Sequence, residues 1–390
     1  MSAAPPVAVA LREEIVAPLA DALLASLTRR HHRERGEQYL RGLLLARGRK
    51  SIRNIASAFG GSALEQSLHH FVSCSTWDWT PMRQALAAYV CQELQPKAWV
   101  LQSMQIPKMG EHSVGVDRRF LPRLGQTVNG QQAFGLWLAA PRASAPVNWR
   151  LFLPPAWLKD DARRRRAEIP EGLGEESLAA CAATTVLDAT RWGLPPRPVL
   201  LDARDGELRD TIDELRAHGL PFLARIGAHE RVAVADTSMP GYGGGLLPAQ
   251  QIMQSVSGLR RPVEYGDPAS AVPAVRSTLV AGIRVLAPRS SRRVVRQAGA
   301  PGDTKPLLLL GMWDEPHQPP TELWLTDMAA LSHPALTRLS KLAVRTELDY
   351  ASTGERAGLS EFVGRSFQGW HRHLTLASAA HTALVLGADG

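Results

Sequence analysis

Two carboxylates stand out by where they fall. Asp202 closes the apolar run Val199-Leu200-Leu201 just ahead of a polar helical stretch. That is the carboxyl edge of a strand, where open α/β sheets bind their ligands. An aspartate there can instead cap the next helix, but Asp205 stands closer to that helix and suits the cap better. Glu347 shares a 3/4-spaced stripe with Leu336, Leu339, Ala343 and Tyr350, which is one face of a helix. A carboxylate on an apolar face must be paired or bound to metal. An ion pair with Arg345 or Arg338 is the alternative to a metal. His371 and His373 lie two residues apart, so a helix turns them to different faces and they do not chelate together.

Charge points to a polyanion. The 390 residues carry a net charge of +8, and only six of the 45 basic residues are lysine. Arginine forks match phosphate in two contacts; a GC-rich genome would also enrich arginine, together with alanine and proline. Clustering argues for the first. One group is Arg29, Arg30, His31, His32, Arg33 and Arg35; a second is Arg163, Arg164, Arg165 and Arg166; a third is Arg289, Arg292, Arg293 and Arg296. The three cysteines, 74, 91 and 181, have no metal-site spacing, which favours a reducing compartment. No apolar run reaches the roughly 18 residues of a membrane span. The expected location is the cytoplasm.

The elements that must position these residues come in two blocks. Residues 1–96 read as helices, and IRNIASAFGG-SALEQSLHHFV has the length of a helix-turn-helix. Two packed helices without DNA contact would give the same pattern. From Trp99 the period changes to strands. A hairpin is expected over 99–116, turning at 108–109, which would set Asp117 opposite Val100 on the face of Gln102. Strands at 131–140 and 148–154 follow, then helices, then VLLD and PFLARI flanking a helix as a parallel βαβ unit. Residues from about 228 to 330 read as an insertion, its first part rich in Gly, Pro and Ser, and helices close the chain. GYGGG at 241–245 lacks the Lys-Ser/Thr of a phosphate loop. The class is α/β, a mixed sheet over 97–390 behind an all-helical, DNA-binding 1–96.

Four segments in order, YLRGLLLARGRKS, EHSVGVDRRF, VLLDARDG and RTELDYASTGERAGL…GRSFQGWHRHLTL, resemble a bacterial DDE-type transposase of the insertion-sequence seven-oh-one type. The likeness spans about residues 28–382 and implies an RNase H-like catalytic domain. It implies double-stranded DNA as partner and leaves a homo-oligomer open. It also implies cleavage and strand transfer by two Mg²⁺ ions held by Asp, Asp and Glu. Carried over, the second Asp is Asp202 and the Glu is Glu347, while the first Asp falls on Gln102. The family's lysine after the Glu falls on or beside Gly354. A neutral amide removes one charge from a site for two dications, so the resemblance implies an impaired enzyme, suited to a domesticated DNA-binding regulator. The competing expectation is an active transposase in which Asp117 or Glu111 substitutes. A third is a scaffold binding acidic proteins.

Overall fold

The computed structural model describes residues 12–121, 125–206, 208–270, 272, 274–288 and 305–388. The arginine group at 289, 292, 293 and 296 lies outside the described residues.

The first five helices are α1 (Glu13–Leu24), α2 (Arg30–Leu45), α3 (Ile52–Ser57), α4 (Ser62–His69) and α5 (Thr80–Leu94). Ser51 opens α3 by accepting from the Asn54 N–H, and Gly60 at φ +80° makes the turn into α4. Helix, turn and helix are therefore present at the expected residues.

The strands are β1 (Ala98–Pro107), β2 (Asp117–Leu121), β3 (Gln126–Ala139), β4 (Ser144–Leu151), β5 (Val199–Asp202) and β6 (Phe222–Arg225). They continue as β7 (Arg231–Val234), β8 (Leu247–Pro248), β9 (Arg261–Gly266), β10 (Val275–Leu286), β11 (Leu307–Trp313) and β12 (Glu322–Thr326). The sheet order is β2-β3-β1-β5-β6-β12-β11-β10-β7-β8, with β4 also on β3 and β9 also on β10. The mixed α/β class is as expected, and β5 and β6 pair in parallel. Residues 228–330 carry the strands that continue this sheet beyond β6.

Between strands lie α6 (Pro155–Lys159), α7 (Asp161–Arg166), α8 (Leu178–Thr190), α9 (Arg209–Ala217) and α10 (Ala249–Ser255). The chain ends in α11 (His333–Asp349), α12 (Glu355–Ala357) and α13 (Phe367–Leu386). Almost every side chain of α13 is buried. Its hydroxyls can go inside because Thr375, Ser378 and Thr382 donate to carbonyls one turn back, so none of the three is left unsatisfied.

α13 also ties the helical block to the sheet. Buried Arg83 of α5 donates to Thr375, Asn148, the Trp149 carbonyl and His371. Arg372 donates to the Trp77 and Val72 carbonyls and lies over the Trp77 ring. One apolar core runs from Val16 in α1 to Ala383 in α13.

Candidate active site at the carboxyl end of β5

β1 and β5 run side by side in parallel, with Leu101 level with Leu201. Gln102 and Asp202 are the next residues along, about 5 Å apart across strands and on one face. Burial changes at this level. Trp99 to Leu101 are buried, then Gln102 is half-exposed, Ser103 exposed and Met104 buried. The sheet is thus covered on both faces up to Leu101; beyond it the face of Ser103 opens, while that of Gln102 and Met104 stays at least half covered. Gln102 pairs on its other side with Gly135 of β3. A Cβ at Gly135 would meet the Trp149 ring at 2.5 Å, so this floor of the site needs glycine.

The hairpin expected over 99–116 does not form. β1 runs on to Pro107 because its partner is the long β3, not the nearer run at 114–116. Asp117 is in β2, paired with Gly130, which is level with Pro107. It therefore lies five residues along from Gln102, about 16 Å, and two strands further out. Glu111 lines a small cavity with His112, Trp157, Arg163, Arg166 and Arg365. The pairing thus sets Asp117 away from the place beside Gln102 that the hairpin gave it.

Glu347 also differs from expectation. It is exposed, and the carboxylate that α11 buries is Asp349. Asp349 accepts from the Ser144 N–H and hydroxyl at 2.7 and 2.8 Å and pairs with Arg345 at 2.7 Å. The expected partner Arg345 is real, but it serves Asp349. The stripe was misplaced because Thr337, Ser340 and Thr346 lie on the buried face. Each of these hydroxyls bonds a carbonyl of its own helix.

Asp202 is held by Arg204. After β5, the Ala203 N–H still donates to Arg225 of β6 at 2.8 Å, and a turn closes from the Gly206 N–H to the Ala203 carbonyl. Gly206 has φ +80°, the left-handed region that glycine enters without strain. The turn points Arg204 back along the strand. Its Nε donates to both oxygens of Asp202 at 2.9 and 3.0 Å, and Nη2 donates to Oδ2 at 2.5 Å. The Arg204 N–H adds a bond to Oδ1 at 3.1 Å. Asp202 thus caps its own turn, while α9 starts at Arg209 behind Leu208, whose side chain forms no cap.

Glu347 and Glu322 also act on Arg204. The hydrogen bonds that Arg204 donates to Asp202 raise the Arg204 pKa against the opposing effect of burial, and the charges of Asp202, Glu347 and Glu322 add to the rise. Glu322, at the start of β12, bonds Lys341 at 3.1 Å and the Trp324 indole N–H at 2.9 Å, with Arg225 at 3.9 Å. Burial would raise its pKa, but Lys341, Trp324 and Arg225 outweigh that and the net shift is down. Sequence reasoning missed Arg204, Arg225, Glu322 and Lys341. The one available signal was the Asp-x-Arg spacing at 202–204, which lets an arginine fork fold back onto the aspartate.

The second arginine group is divided in its work. Arg164 donates to the carbonyls of Pro170, Glu171 and Leu173, while Arg163 pairs with Asp160 and lies over Trp157. Arg165 and Arg166 are exposed.

The family profile described as DDE superfamily endonuclease matches residues 22–280. The chain belongs to this family. The matched stretch contains the positions of Gln102 and Asp202 and stops before Glu347. Among curated proteins, none matches. DDE superfamily nucleases typically use divalent metal ions. The residues here do not fit a pair of such ions. Gln102 is neutral, both Asp202 oxygens are engaged by Arg204, and no group of three His, Cys, Asp or Glu among the described residues could hold a metal. No helix among the described residues is long and apolar enough to cross a membrane.

Proposed function

We propose that the chain is a DNA-binding protein of DDE transposase descent, of the insertion-sequence seven-oh-one type with an RNase H-like domain, whose cleavage chemistry is impaired. It then acts as a domesticated regulator in the cytoplasm. The observation that carries this reading is the state of Asp202: a neutral Gln102 neighbours it and an arginine fork covers it. A two-metal phosphodiester mechanism needs carboxylates free to bridge cations.

Duplex DNA is the partner. The family acts on DNA, the net charge is +8, and Arg165 and Arg166 stand in solvent. Helices α3 and α4 in the 1–96 block are the reader of sequence, and Arg289, Arg292, Arg293 and Arg296 add phosphate contacts. The competing reading is a nuclease using Mg²⁺ at Asp202 and Glu347. It needs a third carboxylate, and β1–β3 pairing carries Asp117 away from that position.

Duplex binding measured across a salt series, run beside a Mg²⁺-dependent plasmid nicking assay, tests the proposal. Salt-sensitive binding without nicking is expected. Absence of duplex binding at low salt would overturn it.

A further inference from the structure

The carboxylates around the end of β5 meet cations of the chain itself. Arg204 forks onto both oxygens of Asp202, and Glu322 is paired with Lys341 and lies 3.9 Å from Arg225. Two anions are matched by three side-chain cations, at the strand end where a DDE nuclease would hold its metal. We infer that Arg204 is the resident counter-ion of this site and keeps divalent cations off Asp202. The inference rests on reading Asp202 and Glu347 as the family's metal positions.

Geometry makes Arg204 a strong competitor. It is two residues from Asp202 in one turn, so the pair forms without bringing distant chain together, and its effective concentration is high. The turn is fixed by the Ala203 and Gly206 bonds. The fork uses both carboxylate oxygens, leaving a dication no free one unless the guanidinium leaves. A metal would also have to enter beside a positive charge that remains tethered. The pair itself is half-exposed, with 51% and 43% of the two side chains accessible. Exposed pairs add little to stability, so replacing Arg204 leaves the fold intact.

Mn²⁺ binding to the full chain, followed by electron paramagnetic resonance, tests this without any need for catalysis. Wild type and Asp202→Asn are expected to bind Mn²⁺ within about threefold of each other, because Asp202 is already covered. Arg204→Gln is expected to bind at least about tenfold tighter than wild type. Adding Asp202→Asn to Arg204→Gln should remove the gain. Wild type binding about tenfold or more tightly than Asp202→Asn would overturn the inference, as would an Arg204→Gln protein no tighter than wild type. The comparison of wild type with Asp202→Asn stands even if the Arg204 variant does not fold. Mn²⁺ held at Asp202 without nicking would defeat only the counter-ion role. Nicking by the wild type would defeat the proposed function.

Discussion

Arg83 of α5 donates from Nη2 to Nδ1 of His371 in α13 at 3.1 Å, so a buried cation rests on a neutral imidazole and joins the helical block to the sheet. The same guanidinium also bonds Asn148, the Trp149 carbonyl and Thr375. Replacing it with methionine strands several buried acceptors, at a cost of about 4 kcal/mol. Arg83→Met should lower the urea midpoint by that amount within a single transition that includes both blocks. Two separated transitions in the wild type would show that the link does not couple them.

Acid should weaken the fold before carboxylates titrate fully. Burial pushes His373 and His381 down to about 4 from the usual 6.5, and holds His371 well below its ordinary value. The unfolded chain takes up these protons first as pH falls. The stability carried by these two histidines is therefore full above about pH 6.5 and declines from there to about pH 4, by on the order of 3 kcal/mol for each. Asp349, raised by burial against Arg345 and Ser144, works the other way just above its unfolded pKa. Urea midpoints at several pH values check the trend; a flat profile from pH 7 to 4.5 would contradict it.

The exchange of roles on α11 separates two neighbouring carboxylates. Asp349→Ala leaves Arg345 without its close partner in a buried setting, which costs about 3 to 5 kcal/mol. Glu347→Ala, at an exposed position, should change stability by less than about 0.5 kcal/mol. Thermal melts of the two variants decide it, and equal losses would place Glu347 in the core after all.

On α7, Arg165 and Arg166 should act through phosphate and Arg164 through structure. Replacing Arg165 and Arg166 with alanine should make log K fall less steeply with log salt, by about 0.9 for each phosphate no longer neutralised. Arg164→Ala removes the bonds to Pro170, Glu171 and Leu173 and should lower the melting temperature. An unchanged salt slope in the double variant would move the DNA surface elsewhere.

The strands that place the site were legible because VLLD and PFLARI are short apolar runs bounded by proline, glycine and polar residues. The span from Trp99 was legible as a strand but not in its pairing. The expected strand began at 131, yet β3 begins at Gln126, and it is β3 that takes the place beside β1. Asp202 was visible from its place at the strand end. Its neutralisation was not, since an arginine in a turn reads as a solvated residue until the backbone aims it. The apolar period puts Glu347 on a buried face where it does not lie, because hydroxyls bonded within a helix pack like apolar groups and hide from a hydrophobic period.

Nicking of supercoiled plasmid in Mg²⁺, wild type beside Asp202→Asn, tests the central claim most directly. The same background level is expected for both proteins at concentrations where both bind the plasmid. Nicking by the wild type that Asp202→Asn abolishes would contradict it.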